Sequence, residues 1–177
     1  MAKSTATPFC RLSPKLNRVH LSLHADYGLR VLLYLGSHPG AVVSTEEMSR
    51  AYGISKHHLV RVVQTLREHG YVKVTPGRSG GVALARNPSE IGLGEVVRDV
   101  EPNLRLVECF DPETNTCPII GACALKSLLR RGLAAFLEEL NRQTLADLMT
   151  TSNRDKLVSI FGTLRSARPV VARCDAP

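Results

Sequence analysis

Apolar residues recur along this chain at the three-to-four spacing of amphipathic helices, interrupted once by a short alternating stretch. The first periodic segment starts near Leu23, sets Leu29, Leu32, Leu33 and Gly36 on one face, and ends at Pro39-Gly40. Ser44, with Glu47 three residues later, is a capping box opening a short helix to about Tyr52, which Gly53 closes. Ser55 caps a third helix with Leu59, Val62, Val63 and Leu66 as its buried stripe and Gly70 as its stop. Two such helices across a tight Gly53 turn predict a helix-turn-helix. The period then switches. Tyr71, Val72 and Val74 lead into Pro76-Gly77-Arg78-Ser79-Gly80-Gly81, and Val82 and Leu84 lead out, which predicts a β-hairpin with a glycine-rich tip. That tip feeds a strand instead of a helix N-terminus, so it does not read as a phosphate-binding loop.

Beyond the hairpin, residues 93–100 predict a short helix and 101–122 a loop broken by Pro102, Asp111-Pro112, Asn115 and Pro118. A long helix from about Ala122 to about Leu140 carries a wide apolar stripe of Leu125, Leu128, Leu129, Leu133, Phe136, Leu137 and Leu140. A small domain does not need that helix to close its core, so it reads as a dimerisation helix; an ordinary core helix is the other reading. Thr144 opens a short helix through Met149, and periodicity after it is confined to Leu157, Val158, Ile160 and Phe161. The fold class expected is mostly α with a small β-wing. Its parts are a flexible basic arm (1–20), a winged helix-turn-helix (21–100), a cysteine-bearing loop (101–122), dimerisation helices (122–150) and a C-terminal tail (151–177).

Charge divides this scheme further. The net charge is +7 over 177 residues, yet residues 21–150 hold 14 bases against 14 acids. Residues 1–20 contribute +4 and 151–177 contribute +3. Within the neutral body, residues 52–86 carry +5 and residues 87–122 carry −5. A basic helix-turn-helix and hairpin followed by an acidic loop suggests one face for a polyanion and another for something else; solvated surface is the plainer reading. In a winged helix the second helix of the motif enters the major groove of double-stranded DNA, led by its N-terminal residues. Those are Ser55, Lys56, His57, His58 and Arg61. Ser55 and Lys56 suit phosphate, and the Arg61 fork suits either guanine O6 and N7 or another phosphate. His57 and His58 suit base or phosphate donation, or plain exposure. Arg78, with Ser79 and Gly80 at the hairpin tip, is placed for the adjacent minor groove, or else is a solvated turn residue. No apolar run is long enough for a membrane span, and the arm contains no secretory signal, so a soluble cytoplasmic protein is expected.

Five cysteines are too few for a secreted disulfide scaffold. Cys109, Cys117 and Cys123 stand at C-x7-C-x5-C spacing across the acidic loop. Zinc sites favour tight C-x2–4-C pairs, which are absent here. A C-x-x-C redox motif is absent too, and the last histidine is His69, so no local Cys–His nucleophile pair exists and an enzyme is not expected. Thiolates on a loop flanked by Ile119 and Ile120 suit an iron–sulfur cluster partly shielded from water, against free or redox-active thiols. A fourth ligand would have to be a carboxylate, an exogenous group, Cys174, or a residue of the N-terminal half.

Several stretches together resemble the Rrf-type winged-helix regulators. They are Leu21-Ser22-Leu23-His24-Ala25-Asp26-Tyr27-Gly28-Leu29-Arg30, Ile54-Ser55-Lys56-His57-His58-Leu59, the Gly80-Gly81 wing and the three cysteines. Val107-Glu108-Cys109-Phe110 and Thr144-Leu145-Ala146-Asp147-Leu148 are similar to the nitric-oxide-sensing repressor subgroup of that family. The resemblance covers roughly residues 19–150. It implies a homodimer on an inverted-repeat operator, with a [4Fe-4S] cluster per subunit ([2Fe-2S] being the alternative) held by Cys109, Cys117 and Cys123. It also implies a fourth ligand from Asp26 of the partner subunit, whose plainer role is that of an acid favoured at a helix start. The subgroup regulating iron–sulfur biogenesis has a histidine three residues after the third cysteine, where this chain has Lys126. Other expectations remain: an iron-responsive cluster regulator, with similar cysteine spacing but asparagine at the position of Asp26, and a cluster-free regulator acting through thiols or a protein partner. The family wing begins Arg-Gly, whereas Pro76 stands here, leaving Arg78 as the one base of the tip. Residues 1–18 precede the family start, so translation from a GTG codon at Val19 is a further expectation, to be tested by mass spectrometry of the native protein.

Overall fold

The structure is a computed structural model that describes residues 20–77 and 80–166. Arg78, Ser79, Cys10, Cys174 and most of the basic arm lie outside those residues. The order is α1 (Leu23–Ser37), α2 (Thr45–Tyr52), α3 (Lys56–Glu68), β1 (Val72–Thr75), β2 (Gly81–Leu84), α4 (Leu93–Val100), α5 (Ala124–Asn141), α6 (Leu145–Leu148) and α7 (Thr151–Ser166). The helix starts follow the expected caps. Ser44 Oγ accepts from the Glu47 amide and Ser55 Oγ from the His58 amide, each satisfying one orphan donor of a first turn. Of the anticipated capping box at Ser44, the Glu47 carboxylate instead takes the Tyr34 hydroxyl at 3.0 Å, tying α2 to α1. Gly53 closes α2 in the left-handed region at φ 65°, which lets α3 turn off at once.

α1 is the hub, and more of it is buried than the sequence pattern marks. Of the face expected from the sequence, Leu32 and Gly36 are buried and Leu29 and Leu33 are half-buried and packed on the core, while Ala25, Gly28, Val31, Tyr34, Leu35 and Ser37 are buried as well. The cause is that α1 contacts α3, α4, α6, α7 and β2, so burial runs nearly all round it and no single stripe defines it.

β1 and β2 form the antiparallel hairpin in the register Val72↔Leu84 to Thr75↔Gly81. Val43 adds a bridge to Val82, its amide and carbonyl both engaged at 2.9 and 2.8 Å, so the segment before α2 extends the wing into a third strand position. Gly81 permits this, since a Cβ there would meet the Val43 carbonyl oxygen at 2.6 Å, while Gly80 permits the hairpin turn, where a Cβ would meet the Thr75 carbonyl oxygen at 2.1 Å. The core gathers α1, α3, α4 and β2 around Leu32, Leu35, Leu59, Leu66, Val82, Ile91 and Val96.

The segment after residue 150, read from sequence as a tail, is a correction. Thr151–Ser166 is a helix, and its Phe161, 3% exposed, joins the core beside Tyr34 and Tyr52. Only Leu157 and Phe161 of its apolar residues pack inward, an i, i+4 pair too sparse to show as a stripe. α5 behaves in the opposite way. Not one of its 18 residues is buried; Leu125, Leu128 and Phe136 stand 58%, 55% and 44% exposed. α5 packs on α4 along one side and otherwise leaves much apolar surface in solvent.

Candidate nucleic-acid interface and thiol loop

The first turn of α3 projects into solvent. Ser55, Lys56, His57, His58 and Arg61 are all exposed, while Leu59, Val62, Val63 and Leu66 on the other side fix the helix to the core. Ser55 spends a lone pair on its cap, and its hydroxyl proton is left to donate outward. Lys56 lies 3.4 Å from Glu46 of α2. Both are exposed, so this ion pair is worth little and is readily traded for phosphate. His58 stacks loosely on Tyr27 of α1, ring centroids 6.3 Å apart. Beside it runs a groove of about 580 Å³ between α1 and α3, lined by His24, Tyr27, His58, Arg61, Gln64 and Thr65 among others. Gln64 and Tyr27 were not singled out in the sequence; Gln64 shares the outer side of α3 with Arg61, a spacing that marks it. Of the wing-tip trio only Gly80 is described, and its amide closes the turn to the Gly77 carbonyl at 3.1 Å.

The acidic segment is a pinned loop. Asp111, 5% exposed, accepts from Arg105, from Thr114 Oγ1 at 2.8 Å and from the Glu113 amide at 3.1 Å. Those bonds from Thr114 and Glu113, helped by the Arg105 charge, hold its carboxyl below the usual carboxylate range. Glu108 accepts from both the amide and the hydroxyl of Thr116, at 2.6 and 2.7 Å, and its carboxyl is likewise lowered. The Cys117 amide bonds Asn115 at 3.3 Å, and Cys123 is the N-cap residue of α5.

Cys109, Cys117 and Cys123 are free and half-buried. As soft donors with access to solvent they fit an iron–sulfur group by chemistry. Among the described residues of one protomer, however, no three His, Cys, Asp or Glu side chains come together as a metal site. Asp26, in the first turn of α1, is held by Arg30, with Nη2 and Nε at 2.8 and 3.0 Å from its two oxygens. A carboxylate offers about four lone-pair sites, so this fork leaves room for another partner. Arg30 was missed in the sequence, although Asp and Arg at i, i+4 is a recognisable pair. Its carbonyl accepts from Tyr52 at 2.9 Å, and burial pushes the Tyr52 phenol well above its ordinary range, keeping it a donor.

Comparison with known proteins agrees with this layout. Residues 21–151 match the Rrf2 family, described as iron-dependent transcriptional regulators. A protein of Shouchella clausii strain KSM-K16 named HTH-type transcriptional regulator NsrR is 44% identical over 144 residues, 81% of this chain and 95% of its own. The Bacillus subtilis strain 168 protein of the same name is 39% identical over 142 residues, 80% and 96% of the two chains. Among solved structures, T. potens IscR superposes with a TM-score of 0.60 at 27% identity, over 75% of this chain and 87% of that one. CymR, the global cysteine regulator of B. subtilis, gives 0.58 at 28% identity, over 73% and 95%.

Proposed function

This chain belongs to the Rrf2 family of transcriptional regulators, and from that premise we propose that it is a dimeric DNA-binding repressor that senses nitric oxide through an iron–sulfur cluster. The single observation that carries the reading is the trio of free, half-buried thiols, two on a pinned loop and the third at the head of α5. Cys109, Cys117 and Cys123 would hold the cluster, most simply [4Fe-4S], with Asp26 of the partner subunit as the fourth ligand. When bound, it supplies iron that reacts with nitric oxide. The rest is the work of side chains. A carboxylate is a weaker ligand than a thiolate, so Asp26 would hold the cluster less firmly than the three cysteines, and Arg30 stands in place to pair with it when it is not a ligand. α5 would supply the dimer contact, and the exposed start of α3 the groove contact in each half-site of an inverted repeat.

Anaerobic purification followed by visible absorbance, iron and sulfide assay and operator titration tests this reading. The expected protein is coloured, binds its operator, and loses it on adding nitric oxide. Colourless, iron-free protein with full affinity would overturn it in favour of a cluster-free regulator. The family's description as iron-dependent favours one second reading, release on iron limitation. A chelator that releases the operator faster than nitric oxide would select that alternative.

The two basic residues of α3 differ in expected effect. Arg61→Ala should cost about 1–3 kcal/mol at the cognate site and relax specificity at one base position. Lys56→Ala should weaken all sequences alike and lower the salt slope by about one unit. Indistinguishable behaviour of the two across operator variants would refute this division of labour.

A further inference from the structure

Residues 101–122 contain one turn of 3-10 helix, Glu108–Phe110, and otherwise irregular backbone. Such a stretch is ordinarily free to sample many conformations, and collecting scattered thiols onto one centre must then overcome loop-closure entropy. Here much of that ordering is done by carboxylates. Glu108 directly precedes Cys109, and Thr116 directly precedes Cys117. Because Glu108 Oε1 takes both the amide and the hydroxyl of Thr116, it draws the chain beside one cysteine against the chain beside the other. Asp111 folds the intervening turn: its Oδ1 takes the Glu113 amide, and its Oδ2 takes Thr114 and Arg105. Neither carboxylate belongs to the hydrophobic core, to which no residue of 101–122 contributes.

From this we infer that Glu108 and Asp111 are positioning residues that preorganise Cys109 and Cys117 as a two-thiol arm before any iron arrives. Cys123, at the head of α5, lies outside this staple and joins it from a separate element. The inference deepens the proposed function, and its test is independent of iron. In the full-length chain with Cys10, Cys123 and Cys174 changed to serine, only Cys109 and Cys117 remain. Phenylarsine oxide, whose arsenic bridges two thiols, then reports how readily that pair meets. Glu108→Ala should weaken arsenical binding about tenfold and speed hydrogen exchange at the Thr116 amide by a similar factor. Both Thr116 bonds end on a single oxygen, which a glutamine retains, so Glu108→Gln should restore most of the binding. Asp111→Ala should fall on the same side as Glu108→Ala. Unchanged arsenical affinity and unchanged Thr116 exchange in Glu108→Ala would overturn the inference. Iron uptake by the five-cysteine protein keeps the two ideas apart: a parent chain that takes up no iron sinks the proposed function, while the arsenical result still decides this one.

Discussion

Changing any one of Cys109, Cys117 and Cys123 to alanine is expected to abolish iron uptake and weaken operator binding at least a hundredfold. The size follows from the dimer. If three thiols of one protomer and Asp26 of the partner subunit share one centre, they fix the separation of the two reading heads. Losing a thiol frees both heads, and a hundredfold drop needs only about 2.7 kcal/mol of such coupling. Asp26→Ala is the informative companion. It should retain a cluster on three thiolates yet bind operator more weakly and respond less steeply to nitric oxide. Cys10→Ala and Cys174→Ala should match the parent. Electrophoretic mobility shift of anaerobic protein, with iron assayed on the same samples, checks all six. Full operator affinity in an iron-free Cys117→Ala protein would show that the thiols do not govern DNA binding. An Asp26→Ala protein with parental affinity and sensitivity would leave Asp26 as a helix-start residue paired with Arg30.

Phe161→Ala should be the most damaging change outside the loop, costing about 3–5 kcal/mol of folding stability. Its ring is 3% exposed, 4.6 Å from Tyr34, 5.3 Å from Tyr52 and 6.3 Å from His38. Removing it opens a cavity between α7 and the α1–α2 corner that these rigid rings cannot collapse to fill. For a chain of this size the melting temperature should fall by roughly 6–20 °C. Ile160→Ala, one residue earlier and 53% exposed, is the control and should move stability by no more than about 0.5 kcal/mol. Differential scanning calorimetry decides between them; melting of Phe161→Ala within 2 °C or so of the parent would mean that α7 merely rests on the head. α7 lies almost wholly beyond the family match, which ends at residue 151.

What could be read in advance depended on how local the signal was. The caps Ser44 and Ser55, the Gly53 stop and the stripe of α3 are short-range chemistry, and each was legible because the residue that makes the bond stands beside the helix it starts or ends. The further burial of α1 was not legible, because it is imposed by partners distant in sequence. α7 was missed because two inward residues do not make a period. The cysteine spacing marked the loop, but not the carboxylates that hold it: an acid in a loop ordinarily reads as solvated surface. Only the structure shows Asp111 buried with three donors around it. Arg78 and Ser79, the remaining wing-tip expectations, fall outside the described residues.

The bridge between Val43 and Val82 has a mechanical consequence. It joins the wing to the residue immediately ahead of Ser44, which caps α2, and α2 leads through a single tight turn into α3. A load applied at the hairpin therefore passes into the reading helix through two backbone hydrogen bonds and no slack. The bridge couples movement at the base of the wing to the start of α2 and, through the Gly53 turn, to α3. If α3 and the wing contact DNA as proposed, a target whose groove spacing departs from that of this frame would be met by bending of the duplex, and flexible base steps between contacts would become part of what is selected.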